Sequence, residues 1–118
     1  MTDLVALISS GKGTVGHVQK LIQGERWEHI YIITTPEFKH EVPNKENIEI
    51  IVVDSKRMLP QMVSDIKGSL KGKISIMETA VNLISGEGKE HMAVLSALLQ
   101  LGAGIRLVAL TPEGVKEI

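Results

Sequence analysis

The sequence predicts an α/β fold with a doubly wound, mostly parallel sheet of five or six strands. Short apolar runs recur along the chain, helical apolar patterns separate them, and glycine-rich junctions follow two of the runs. Strands that alternate with helices imply parallel pairing with right-handed crossovers. A length of 118 residues suits one domain with its own core. We therefore expect a single domain over residues 1–118.

The first half of the chain contains three predicted strands. Residues 4–8 form a continuous apolar run, which is typical of a strand buried on both faces. Residues 11–16 read GKGTVG, and apolar positions then recur at helical spacing as far as Gly24. The second strand, a short helical turn and the third strand are predicted at residues 29–34, 36–41 and 48–53.

The second half repeats the alternation. Apolar residues from Met58 to Leu70 recur at helical spacing and predict an amphipathic helix that stops before Gly72. The fourth strand is ambiguous within residues 73–84, and we place it at 78–84. A helix, a fifth strand and an antiparallel return segment are predicted at residues 88–101, 105–110 and 115–118.

The predicted helix over residues 88–101 is apolar nearly all round, since only Ser96 and Gln100 are polar after Met92. Such a helix must be buried on two sides. In a chain of this size the second side is most simply covered by another copy. The pattern predicts a homodimer that forms through this helix.

Two glycine loops should meet in the folded chain. In a Rossmann-like order the first strand lies beside the fourth, and ligands bind where the strand order reverses. The loops over residues 9–14 and 85–91 would therefore lie together. The first turn of a helix attracts anions through its free amides. Lys89, a cation in that turn, is disfavoured unless an anion binds beside it.

Two known nucleotide motifs fit these loops poorly. Gly11, Gly13 and Gly16 match G-x-G-x-x-G, but Thr34 and Thr35 stand where an acidic residue would hold the ribose of NAD. Residues 86–89 resemble part of a P-loop, but Glu90 replaces the Ser or Thr that binds magnesium. The sequence therefore disfavours NAD binding and an ATPase.

Composition excludes several other classes. With 13 basic and 14 acidic residues, the chain lacks the positive charge that general DNA or RNA binding needs. It has no cysteine, and its four histidines show no zinc spacing, so we expect neither a metal nor a cofactor. No apolar run reaches membrane-spanning length and no leader pattern is present. We expect a cytoplasmic protein that does not contact membranes.

The fourth-strand loop resembles that of the CARF domains, the CRISPR-associated Rossmann folds. In that family the fourth strand runs into a T-G-G-T-K-like loop and then a long helix rich in alanine and leucine. Ser85, Gly86 and Lys89 match this loop in type, whereas Glu87 and Gly88 depart from it. The likeness continues through residues 92–101 and 105–110, and the N-terminal half agrees in layout, with Ser9 and Ser10 after the first strand.

The resemblance implies a homodimer that binds a cyclic oligoadenylate across its two-fold axis. We expect no attached effector domain of the usual kind, so that a separate effector protein provides the output, or the ligand is sequestered or slowly cleaved. The expected ligand-binding residues come from both loops: Ser9, Ser10, Gly11, Lys12, Gly13, Thr14, Ser85, Gly86, Gly88, Lys89 and His91.

Two alternatives stay open. The first is a metal-independent ring nuclease that cleaves the cyclic ligand, with Lys89, His91 and Ser10 as its candidate catalytic residues. The second is a structural or interaction subunit that binds no ligand. It predicts that a Lys89→Ala change leaves every measurable property unchanged.

Overall fold

A computed structural model describes residues 2–75 and 77–118, with the side chain of Lys12 outside the description. Strands and helices alternate along the chain, as the apolar periodicity predicts. The strands are β1 (Asp3–Ile8), β2 (Ile30–Thr34), β3 (Ile48–Val52), β4 (Thr79–Asn82), β5 (Ile105–Thr111) and β6 (Gly114–Glu117). The helices are α1 (Lys12–Gly24), α2 (Leu59–Leu70) and α3 (Gly88–Gln100), with a 3₁₀ turn at Lys39–Glu41.

The six strands form one sheet in the order β3-β2-β1-β4-β5-β6. All neighbours are parallel except β5 and β6, which pair antiparallel. Leu4 in β1 is in register with Ile30 on one side and with Ala80 on the other. The predicted Rossmann-like class, the β1–β4 pairing and the antiparallel return strand are all confirmed.

The sheet is covered on both faces, which explains the continuous apolar run of β1. Leu4, Ala6 and Ile8 pack with α1 on one face. Val5 and Leu7 pack with α2 and α3 on the opposite face. Because successive side chains of a strand point to opposite faces, every residue of β1 is buried.

Strand β4 is shorter than predicted. It covers Thr79–Asn82 rather than residues 78–84, and the chain turns directly afterwards, where the amide of Ile84 donates to Asn82 Oδ1 at 3.2 Å. This local bond competes with a further ladder bond and ends the strand. Ser85 is thereby placed in the loop that leads into α3.

Helix α3 buries only part of its apolar circumference. Ala93, Val94, Ala97 and Leu98 are buried in the core between α2 and the sheet. Met92 and Leu99 are 63% and 66% exposed. Much of the second buried side is thus supplied by α2, and the predicted homodimer stays a prediction. Within the described residues, no helix has the length and apolar character needed to cross a membrane.

Candidate functional site

The two glycine loops meet at the carboxyl ends of β1 and β4, and Ser85 joins them. Its Oγ accepts hydrogen bonds from the amides of Ser9 at 3.1 Å and Ser10 at 3.4 Å. The same Oγ donates to the Ser10 carbonyl oxygen at 3.0 Å. Since Ser85 is fully buried, its hydroxyl fixes the spacing of the two loops. The predicted meeting of the loops is confirmed, while a ligand contact from Ser85 stays a prediction.

Glu90 is the functional candidate that the sequence analysis missed. It lies in the first turn of α3 and is only 6% exposed. Its Oε1 accepts a hydrogen bond from Ser9 Oγ at 2.8 Å and another from the Glu87 amide at 2.9 Å. The second bond is one half of a capping box, whose Glu-x-x-Glu spacing at Glu87 and Glu90 was the available signal.

Gly86 lies against the buried Ser9–Glu90 pair, at a position that requires glycine. Its φ is +98°, and a Cβ there would lie 2.9 Å from both Glu90 Oε1 and Ser9 Oγ. A side chain would therefore meet backbone strain and a steric clash together. Gly88, by contrast, begins α3 with no protein atom within 4 Å of an added Cβ.

The β1–α1 loop presents a helix end without a negative charge of its own. Gly11 has φ +85° and precedes α1, whose first turn contains no acidic residue and receives no side-chain cap from Gly11. Thr14 Oγ1 donates to the carbonyl oxygens of Ser10 and Gly11, each at 2.7 Å. At Gly13 an added Cβ would meet no protein atom within 4 Å. The lack of a carboxylate in this helix start favours an anion there, while the Thr14 amide already donates to the Gly11 carbonyl at 3.1 Å and the predicted contribution of the Lys12 side chain lies outside the described atoms.

Lys89 and His91 both contact backbone carbonyl oxygens. Lys89 Nζ donates to the carbonyl of Ser55 at 3.0 Å and to that of Arg57, so it ties α3 to the loop that follows β3. His91 Nε2 lies 2.9 Å from the Ser85 carbonyl oxygen. These contacts give both residues a role without a ligand. Their predicted ligand-binding and catalytic roles stay predictions.

A cavity of about 260 Å³ opens beside the joined loops. Its walls carry oxygen atoms and one aromatic ring. They come from the ends of β1 and β2, the loop after β3 and the start of α3, and the residues are Ser9, Ser10, Thr35, Glu37, Phe38, Ser55, Glu87 and Glu90. Glu37, which follows β2 beyond Pro36, therefore reaches the crevice from the strand end where dinucleotide folds place an acidic residue.

Asn82, the last residue of β4, contacts His17 of α1 and the backbone of β5. Asn82 Nδ2 donates to the Val108 carbonyl at 2.8 Å and lies 3.4 Å from His17 Nε2. The Leu110 amide donates to the same His17 nitrogen at 3.2 Å. An imidazole nitrogen that accepts from an amide carries no proton, so the proton of neutral His17 is on Nδ1. His17 thus links α1 to β5, which the sequence analysis did not predict.

A larger cavity lies at the other end of the sheet, near the start of β1. It measures about 490 Å³ and includes Arg26, Trp27, Arg106 and Glu117 in its walls. Arg106 is paired with Glu117 and Glu78, and the hydrogen bond to Glu117, followed by that to Glu78, raises the pKa of its guanidinium. We place the candidate site at the smaller crevice, because this larger cavity lies away from the switch point of the sheet. The positive charge of Arg106 is also already balanced by two glutamates.

Among the described residues, one group of side chains is close enough to share a metal ion: Asp3, Glu28 and His29. His29 Nδ1 lies 3.2 Å from Asp3 Oδ1 and 3.8 Å from Glu28 Oε1. Burial, followed by the charges of Asp3, Glu49 and Glu28, raises the pKa of the neighbouring Tyr31 hydroxyl. The 3.2 Å distance between His29 Nδ1 and Asp3 Oδ1 is that of an ordinary hydrogen bond, so this pair needs no ion to explain it.

No known family model matches this chain, and no curated protein matches its sequence. The functional argument therefore rests on the fold and on the geometry of the crevice.

Proposed function

We propose that this protein is a homodimeric, CARF-like nucleotide-binding protein whose ligand is a cyclic oligoadenylate. The observation that carries the proposal is the joining of the two glycine loops through Ser85 at the switch point between β1 and β4. Open α/β sheets bind ligands at this place. The Ser85, Gly86 and Lys89 pattern that resembles the CARF loop belongs to the same β4–α3 segment as Glu87 and Glu90, which line this crevice.

The phosphate groups belong at the start of α1 in this proposal. That helix end receives no side-chain cap and has no acidic residue in its first turn, although its Thr14 amide already donates to the Gly11 carbonyl. Gly13 leaves space for an anion beside the backbone, whereas the Cβ position of Gly11 is filled by Thr14 Oγ1 at 2.6 Å. The start of α3 is less suited to a phosphate, because Glu90 already places a carboxylate against the Glu87 amide.

Lys89 can turn from the Ser55 and Arg57 carbonyls toward a phosphate of the ligand. Its side chain is exposed and the carbonyls that it contacts belong to a loop. The exchange replaces hydrogen bonds to neutral carbonyls by a contact between opposite charges, which is the stronger interaction. Lys89 would then couple ligand binding to the position of the loop after β3.

The exposed stripe of α3 supports the dimer. Met92 and Leu99 are two helical turns apart on the same side, and both are mostly exposed. Since α3 starts at the crevice, two copies whose α3 helices run parallel along this stripe would bring their crevices together around a two-fold axis. In sedimentation-velocity runs, we expect Leu99→Glu to convert a dimer into a monomer. Ile118→Glu is the control, since Ile118 is 77% exposed outside α3 and its substitution should leave the dimer intact.

A thermal-shift series tests ligand binding. The wild-type protein is melted with cyclic tetra-adenylate and cyclic hexa-adenylate, and with linear adenylates and NAD as controls. A ligand at a hundred times its dissociation constant stabilises the fold by about 2.7 kcal/mol, an easily measured rise. The proposal requires that a cyclic adenylate raises the melting temperature and that the linear adenylates and NAD do not. It fails if no cyclic ligand raises the melting temperature.

Two lysine variants sharpen the test. Lys89→Ala should abolish most of the ligand-induced rise. Lys71→Ala, at the far end of α2, should keep it, because Lys71 is exposed and distant from the crevice. If cyclic ligand binds and then disappears with formation of linear product, the ring-nuclease alternative replaces simple binding. If neither wild type nor Lys89→Ala responds to any nucleotide, the structural-subunit alternative is favoured.

A further inference from the structure

Glu90 has a carboxylate oxygen left over for a ligand. Its Oε1 already receives hydrogen bonds from Ser9 and the Glu87 amide. Its Oε2 receives none from the described residues, and among these no buried side-chain oxygen lacks a partner. Glu90 also forms part of the wall of the 260 Å³ cavity. Oε2 therefore retains solvent exposure, which leaves it as the oxygen of this carboxylate that is available to a group in the cavity.

The cavity selects a ligand group that donates hydrogen bonds. An ionised carboxylate only accepts, and three carboxylates, those of Glu37, Glu87 and Glu90, share this wall. A phosphate here would face like charges in a partly dehydrated space. The group that enters is therefore a hydroxyl, an amine or a cation.

The other lining groups favour a sugar among these. The only described residues whose ligand atoms come close enough to share an ion are Asp3, Glu28 and His29, so the three glutamates of the cavity do not converge on a metal. Hydroxyls of Ser9, Ser10, Thr35 and Ser55 can both donate and accept, which matches a polyhydroxyl group. Phe38 adds an apolar surface for a ring. The volume lies just below the range of about 300–1,000 Å³ for whole drug-sized ligands, so the cavity suits one part of a nucleotide.

We infer that Glu90 is the residue that reads the sugar of the ligand, by accepting a hydrogen bond from a ribose hydroxyl at Oε2. The inference rests on the proposed nucleotide binding at this crevice. It divides the ligand between two places, with phosphate at the open end of α1 and ribose in the acidic cavity at the start of α3. It also predicts that the site prefers a ribonucleotide to its deoxy counterpart.

Nucleosides test this inference apart from phosphate binding. ¹⁵N-labelled protein is titrated with adenosine, 2′-deoxyadenosine and 3′-deoxyadenosine, and the amide signals of Ser9 and Glu87 report binding. Loss of one hydrogen bond to a charged group should weaken binding about 10-fold to 100-fold for at least one deoxynucleoside. Glu90→Gln should bring the ratio between adenosine and that analogue well below the wild-type value, because a neutral amide makes a weaker hydrogen bond to the hydroxyl than a carboxylate does. Glu113→Gln, in the exposed turn between β5 and β6, should keep the wild-type ratio.

A second readout uses the wild-type protein alone, in case Glu90→Gln fails to fold. The ¹³C signal of the Glu90 carboxyl carbon should move with adenosine and stay in place with the discriminated deoxynucleoside. Equal binding of all three nucleosides, an unmoved carboxyl signal, or no binding at millimolar nucleoside would each overturn the inference. If cyclic tetra-adenylate still binds in such a case, the proposed function survives. If nucleosides are discriminated but cyclic oligoadenylates do not bind, the sugar site stands and the proposed function fails.

Discussion

The β1–α1 and β4–α3 loops have the same plan but opposite electrostatic character. Each leads from a buried parallel strand, through a glycine with positive φ, into the first turn of a helix. The β1–α1 loop offers helix amides with no acidic residue beside them. The β4–α3 loop places Glu90 over its own helix start and buries that carboxylate against Ser9. A strand, a glycine and a helix therefore do not by themselves define an anion site.

The difference assigns the two loops different tasks. A helix end without a carboxylate favours anions by about 0.3–1 kcal/mol per charge at an exposed position. A helix end that already holds a carboxylate loses this preference and gains an acceptor instead. In our account the two loops recognise different parts of one ligand, and the experiments below compare them directly.

The largest expected effect separates the glycines of the two loops. Gly86→Ala should lower the free energy of unfolding by about 2–3 kcal/mol, because it adds backbone strain at φ +98° and a Cβ against the Ser9–Glu90 pair. Gly13→Ala should raise it by about 0.4–1 kcal/mol, since Gly13 is helical with open space around it. Urea unfolding measures both. Equal destabilisation by the two variants would contradict the comparison.

The next effect concerns the link between the loops. Ser85→Ala should lower the free energy of unfolding by about 1–3 kcal/mol, because the buried amide of Ser9 loses its acceptor and the Ser10 carbonyl loses a donor. Chemical denaturation provides the measurement. Ser64→Ala on the exposed surface of α2 is the matched control and should change stability by less than about 0.5 kcal/mol. If Ser85→Ala is as mild as this control, Ser85 does not hold the loops together.

The smallest effect concerns Lys89 in the absence of ligand. Its contacts with Ser55 and Arg57 are exposed, so Lys89→Ala should cost less than about 1 kcal/mol of stability. Hydrogen exchange should nevertheless increase in the loop after β3, which Lys89 holds. A loss of several kcal/mol would instead make Lys89 a structural residue and weaken its assignment to the ligand.

The sequence predicted the elements well because they depend on local patterns. The buried run of β1 and the periodicity of α2 were visible without any tertiary information. The convergence of Ser9 and Ser85 followed from topology, since β1 and β4 are neighbours in a Rossmann-like sheet. The end of β4 was misplaced because the bond between Ile84 and Asn82, rather than hydropathy, stops that strand.

Glu90 and Lys89 show why the site itself was harder to predict. A glutamate in the first turn of a helix is usually exposed, and its burial here depends on Ser9, which lies 81 residues earlier. The direction of Lys89 depends on where the loop after β3 lies, and Ser55 is 34 residues away. Such long-range contacts decide which charges face the crevice, and no local pattern contains them.

The most direct test of the central claim is a titration of ¹⁵N-labelled protein with cyclic tetra-adenylate, followed through backbone amide signals. We predict that Gly11 and Gly13 in one loop and Gly86 and Glu87 in the other shift together, with a single dissociation constant. Shifts confined to one loop, or no shift at saturating ligand concentration, would contradict a site that the two loops share.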